Sequence, residues 1–261
     1  MRISWGGRRP GRAASLVLGL VMLAVGALAV EKAETAVAVG RDMVWADYEG
    51  QRRDIYFSTQ AKDGAWSEPL RISDGKTDSL LPCIVNTAAG GKFVVWTVME
   101  DARLGIRYAV FDGEEWSEPQ LVPGMPRDAT MPFVAADDAG VVWLVFVGND
   151  GAGQDDIYCV RLQEGRWTKP ERVNAPNEAP DIHPFIEIDR DGDIQVTWEG
   201  FRGDGYVPLT TRRRDGEWTA EEPLPQEDGE ALEQNRKRFA EEQLPDFVRD
   251  RSMLFMRGGD Q

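Results

Sequence analysis

Short apolar runs, each broken by a turn, recur along most of the chain. A Pro opens the first run of a unit: Pro82-Cys83-Ile84-Val85, Pro132-Phe133-Val134-Ala135 and Pro184-Phe185-Ile186-Glu187-Ile188. A Gly-bearing turn follows, at Ala89-Gly90-Gly91, Asp138-Ala139-Gly140 and Asp191-Gly192. The second run ends on an aromatic, at Val94-Val95-Trp96, Leu144-Val145-Phe146 and Val196-Thr197-Trp198, always 14 residues after the Pro. A polar loop leads to a third run, Ile55-Tyr56-Phe57, Ile106-Arg107-Tyr108 or Ile157-Tyr158-Cys159. A fourth carries a Trp phrase and an apolar sequel such as Leu70-Arg71-Ile72. Runs of β-branched and aromatic residues between Gly, Asp and Asn turns predict strands joined by hairpins. No helical period falls between them, which excludes alternating strand–helix units.

The Trp phrase sets the period. Trp66, Trp116, Trp167 and Trp218 stand 50, 51 and 51 residues apart. Their settings are Asp63-Gly64-Ala65-Trp66, Asp112-Gly113-Glu114-Glu115-Trp116, Glu164-Gly165-Arg166-Trp167 and Asp215-Gly216-Glu217-Trp218. A constant interval of this length marks one supersecondary unit copied along the chain. Four antiparallel strands per unit predict the blade of a β-propeller, with the Trp filling the widening gap between neighbouring blades. The expected fold is all-β, with four full blades at about 34–73, 80–122, 130–172 and 182–223 within a domain spanning 34–261. Residues 228–243 read as a charged, helix-prone insert. Residues 244–257, with Leu244-Pro245-Asp246-Phe247-Val248 and Met253-Leu254-Phe255-Met256, read as a C-terminal half-blade. Closure as a four- or five-bladed ring, or pairing with a second copy, stays open.

The Asp-Gly turn followed by Trp-Ser-x-Pro resembles the bacterial neuraminidase (Asp-box) repeats of sialidase-like propellers. The full box reads Ser-x-Asp-x-Gly-x-x-Trp, and only its later part survives here. The resemblance covers about 34–223 and speaks to fold more than to activity, because such repeats occur in enzymes, lectins and scaffolds. A sialidase would need an arginine cluster, a Tyr nucleophile with a Glu neighbour, and an Asp acid. The family's Arg-Ile-Pro motif is absent, and so are clear second and third arginines.

The N-terminus changes the setting. Arg2, Arg8, Arg9 and Arg12 precede an apolar stretch, Ala13–Val30, with the small-x-small form Ala27-Leu28-Ala29. This pattern is that of an export signal at 1–29, cleaved or retained as an anchor, and it implies a periplasmic or extracellular protein. The whole chain carries 30 basic and 45 acidic residues, a net charge of −15. Without those four arginines the remainder has 26 against 45, or −19. Such a balance opposes nucleic acid and anionic lipid as partners, so membrane contact is expected only through the N-terminal segment. Cys83 and Cys159 lie in different units and read as two buried thiols rather than a disulfide. No spacing calls for a metal or any other cofactor.

Strand order predicts that the loops entering each unit and those between its second and third strands share one end. There the chain offers Asp47, Tyr48, Glu49 and Arg52 in the first unit, Glu100 and Arg103 in the second, and Asp150 in the third. The fourth adds His183, Glu199 and Arg202. Asp78, Asp128, Glu178 and Asp181 sit on the entry loops. His183, the single histidine, shares its pre-proline place with Leu81 and Met131. The turn Asp189-Arg190-Asp191-Gly192-Asp193 lacks the spacing of a calcium loop and reads as a plain β-turn. These loops point to a non-catalytic surface for a glycan or protein ligand. A glycoside hydrolase working through loop carboxylates, which must lie about 5–10 Å apart, is a second reading. A scaffold or oligomerising module is a third.

Overall fold

The computed structural model describes residues 37–225 except 88–89, 150, 152–153 and 190. The export segment, the helix-prone insert, the half-blade and Asp150 lie outside the described residues. Four antiparallel sheets follow one another along the chain. Sheet I holds β1 (Val37–Val39), β2 (Asp42–Glu49), β3 (Arg52–Thr59) and β4 (Leu70–Arg71). Sheet II holds β5 (Asp78–Asn86), β6 (Lys92–Glu100), β7 (Arg103–Phe111) and β8 (Gln120–Leu121). Sheet III holds β9 (Arg127–Ala136), β10 (Val142–Asn149), β11 (Asp156–Gln163), β12 (Arg166–Trp167) and β13 (Glu171–Arg172). Sheet IV holds β14 (Asp181–Ile188), β15 (Ile194–Arg202), β16 (Gly205–Arg214), β17 (Glu217–Trp218) and β18 (Glu222–Pro223). No helix occurs among the described residues.

Each sheet packs on the next. β5 lies against β2 and β3, β9 against β5, β6 and β7, and β14 against β9 and β10. Among the described residues no comparable packing joins sheet IV to sheet I. The inner strands β5, β9 and β14 therefore run side by side. Strands between two sheets must bury both faces, which is why β6 and β10 read as unbroken apolar runs rather than alternating ones. Trp96 and Phe146 have no exposed surface. Burying a ring the size of Trp96 contributes up to about 5 kcal/mol of transfer free energy.

The periodic Trp residues tie sheet to sheet. Trp116 meets Phe57 of sheet I edge-on at 5.1 Å. Trp167 meets Phe93 and Tyr108 of sheet II at 6.1 and 5.4 Å. Trp218 and Trp143 hold the Arg213 guanidinium between them at 5.1 and 5.5 Å. The turns before them use the chemistry their residues imply. Glu164-Gly165 and Asp215-Gly216 have positive φ at both positions, as a two-residue hairpin of matching twist requires. Asp112 instead accepts the backbone N–H groups of Glu114 and Glu115 at 2.8 and 2.9 Å. The Asp189 turn is likewise self-contained: Asp189 accepts from the N–H groups of Asp191 and Asp193, both at 2.9 Å.

One repeated irregularity shapes the functional end. Leu81, Met131 and His183 have φ of 53°, 52° and 54°, each just before a Pro. The ladder shifts register at each of these places. A non-glycine residue in this region carries a local cost of about 1–3 kcal/mol, and a following Pro restricts it further. The bulge lets the inner strand continue upstream of the Pro, so β5 starts at Asp78 and β9 at Arg127. It also re-aims one side chain per sheet.

Candidate functional site

Antiparallel order brings the β2–β3, β6–β7, β10–β11 and β15–β16 hairpins to the end where β5, β9 and β14 begin. The candidate residues divide there into separate groups.

In sheet I, Asp47, Tyr48 and Glu49 stand opposite Asp54, Arg53 and Arg52. Glu49 accepts from the Tyr56 hydroxyl and from Arg71, both at 3.1 Å. Burial, then the Glu49 carboxylate, pushes the Tyr56 phenol above its ordinary range. Arg53 lies over the Tyr48 ring at 5.7 Å. It donates through Nε and Nη2 to Asp78 at 3.0 and 2.5 Å, and its backbone N–H adds a bond of 2.9 Å. Burial alone would raise the Asp78 pKa, but these bonds from Arg53 hold it below the usual carboxylate range. Asp78 is thus an inter-sheet clamp, and Asp128 repeats the role on Leu104 N–H at 3.3 Å.

In sheet II, Glu100 and Arg103 face each other across a turn whose central residues, Asp101 and Ala102, both have positive φ. Glu100 accepts from Arg107 at 3.4 Å, and Arg107 also pairs with Asp74.

Sheet IV carries the densest chemistry. His183 Nδ1 and Glu199 Oε2 are 2.8 Å apart, with the two side chains 25 and 37 % exposed. Glu199 and Phe201 share one face of β15 by alternation. Phe201 stands opposite Tyr206, and their rings meet edge to face at 5.3 Å. Tyr206 and Val207 are exposed large apolar residues. The opposite face of β15 holds Trp198, Gly200 and Arg202, gathered around Asp181. That carboxylate has no exposed surface. It accepts from Trp198 Nε1 at 2.9 Å, Arg202 Nη1 at 3.2 Å, Asn174 at 2.7 Å and Asn177 at 2.9 Å. Arg202 also donates to Glu221 at 2.9 Å. Burial opposes its charge, but Glu221 and Asp181 together raise its pKa above the ordinary arginine value.

The structure therefore joins His183 to Glu199 and sets Arg202 on the other side of the strand. Of the sheet I and sheet II candidates, Asp47, Tyr48, Glu49 and Glu100 are bonded within their own neighbourhoods, while Arg52 and Arg103 form no ion pair among the described residues. Asp181, expected on a loop, is a buried hub. Asn174, Asn177 and Glu221, which complete it, carried no signal beyond being polar. Buried acids recur in the third strands too: Asp54 accepts from Ser73 at 2.6 Å, and Asp156 from Asn174 and Arg172 at 2.9 and 2.7 Å. Among the described residues no group of three or more His, Cys, Asp or Glu is placed to hold a metal ion.

No family model matches the chain, and no curated protein sequence matches it. Similarity appears at the level of the fold. A Dyadobacter fermentans DSM 18053 protein of unknown function aligns over 70% of this chain and 66% of its own, with 13% identity and a TM-score of 0.56. A polysaccharide lyase, the PL25 ulvan lyase, aligns over 73% of this chain and 54% of its own, with 15% identity and a TM-score of 0.52. NanB, determined with Optactamide, aligns over 71% and 49%, with 11% identity and a TM-score of 0.52. The chain spans about half to two-thirds of the length of these structures. The ulvan lyase and NanB are β-propellers, and the likeness concerns the fold alone: this chain is all-β, built of four- to five-stranded antiparallel sheets.

Proposed function

We propose that this protein is a glycan-binding β-propeller whose ligand site is the end of sheet IV around His183, Glu199, Phe201 and Tyr206. The observation that carries the reading is the His183–Glu199 pair on the strand face that also holds Phe201, whose half-buried ring meets the exposed ring of Tyr206 edge to face. Saccharides are bound by such combinations: a carboxylate and an imidazole meet the hydroxyls, and a ring covers the apolar face of the sugar. The propeller fold, shared with proteins that act on polysaccharides, supports it.

A binding role is favoured over hydrolysis because Asp181, which the register sets one step from Glu199, cannot flank one bond with it. Glu199 and Asp181 lie on opposite strand faces, and Asp181 is held by four donors. In this reading the four sheets are consecutive blades, and the N-terminal pattern is an export signal.

The test is a glycan array probed with the purified protein, followed by Glu199→Gln and Tyr206→Ala. Binding to at least one saccharide, weakened about tenfold or more by each variant with the melting temperature kept, is the expected result. Silence across the array would overturn the proposal. Hydrolysis of a bound glycan that Glu199→Gln abolishes would replace it with a glycoside hydrolase.

A further inference from the structure

The charge arrangement of this end goes further and, resting on the glycan reading, bears on which glycans it admits. Recognition of a sialoside or uronide requires arginines free to form a two-pronged contact with the sugar carboxylate. Most of the arginines placed at this end are already committed. Arg53 is held by Asp78, Arg71 by Glu49, Arg107 by Asp74 and Glu100, and Arg172 by Asp156. Arg202, the one beside the site, spends both terminal nitrogens on Asp181, Phe201 O and Glu221. It also lies on the strand face opposite Glu199. Arg52 and Arg103 form no ion pair among the described residues, but they stand on the exposed hairpins of sheets I and II.

At the site itself the side chains presented are Glu199 with His183, and the rings of Phe201 and Tyr206. An anionic sugar seated on the rings would bring its carboxylate toward that of Glu199, and among the described residues the neighbouring Arg202 is already spent on Asp181, Phe201 O and Glu221. A hydroxyl-bearing sugar meets no such opposition, and Glu199 can accept from its hydroxyls. We infer that the sheet IV site selects uncharged glycans and excludes sialosides and uronides, in contrast to the anionic ligands its sialidase resemblance implies.

The experiment is calorimetric titration of the full chain at low ionic strength with probes of different charge. Cellotetraose and arabinotetraose are the neutral probes, tetragalacturonate and 3′-sialyllactose the anionic ones, and chitosan tetramer the cationic one. The expected result is binding of a neutral probe, with both anionic probes at least about a hundredfold weaker. Glu199→Gln should narrow that gap, weakening the neutral probe about tenfold while relieving the repulsion of the anionic ones. Unchanged far-ultraviolet dichroism would show that the variant is folded. Anionic binding equal to or tighter than neutral, lost in Glu199→Gln, would overturn the charge inference and leave the glycan reading standing. Tightest binding of the chitosan probe would overturn the preference for an uncharged ligand. Failure of every probe, charged or not, would count against the glycan reading itself.

Discussion

Replacing Asp181 with Asn tests the hub on which the functional end is built. The change keeps volume and shape but turns one carboxylate oxygen into an NH2 group. Asp181 meets four donors, two at each oxygen, and has no exposed surface. The remaining amide oxygen can serve two of them. The new NH2 then faces the other two, so two hydrogen bonds are lost and buried donors are left without acceptors. Arg202 loses one of its two carboxylate partners. Lost hydrogen bonds of about 1 kcal/mol each, with the desolvation of the stranded donors, sum to about 3 kcal/mol or more. For a domain of this size that is a fall in melting temperature of about 6–12 °C. Urea unfolding followed by tryptophan fluorescence at pH 7 measures it. Glu221→Gln is the control, since that pair is partly exposed and Arg202 keeps Asp181; it should cost about 1 kcal/mol or less. The reasoning fails if Asp181→Asn costs less than about 1 kcal/mol, or no more than the control.

Gly200→Ala should destabilise by about 1–3 kcal/mol in the same unfolding assay. Its Cβ would come 2.5 Å from Asp181 Oδ1 and 2.6 Å from Leu209 Cδ1. Asp78→Asn should destabilise at neutral pH through loss of the Arg53 clamp. Because the folded-state pKa of Asp78 is depressed, its contribution is present above the ordinary carboxylate pKa and lost as pH falls through the depressed value. Wild type and variant should therefore converge in stability in strong acid, and a gap that is unchanged at low pH would refute this. Both thiols should resist Ellman's reagent until the protein unfolds. Cys83 and Cys159 are buried and free, and burial pushes the Cys83 pKa up to about 12 and raises that of Cys159 as well.

The repeat was legible in the sequence because its signals are local. The Pro-to-aromatic spacing captured the hairpins β5–β6, β9–β10 and β14–β15. The Trp interval captured the contacts of Trp116, Trp167 and Trp218, since a ring of that size at a fixed place in every unit must be buried against something. What escaped was set by register. A Pro preceded by Leu, Met or His reads as a strand start, whereas the left-handed residue there forms a bulge and the strand begins earlier. Asp181 reads as a solvated loop acid, and only the approach of Trp198, Arg202 and two Asn side chains from separate elements makes it the core of the end. The separation of Glu199 from Arg202 follows from strand alternation and was available in principle. It required knowing that β15 runs unbroken through Gly200.

The account rests on the claim that a saccharide docks on sheet IV. The most direct measurement is a titration of the protein, with its 9 tryptophans, followed by the indole N–H signals in heteronuclear magnetic resonance. Trp198 donates to Asp181 directly behind Glu199, whereas Trp116 and Trp167 pack between other sheets. A bound neutral oligosaccharide should shift the Trp198 signal in a saturable way and leave those of Trp116 and Trp167 in place, and Glu199→Gln should weaken the response. A saturable shift confined to Trp116 or Trp167, or an unmoved Trp198 signal at full occupancy, would contradict the assignment of the site.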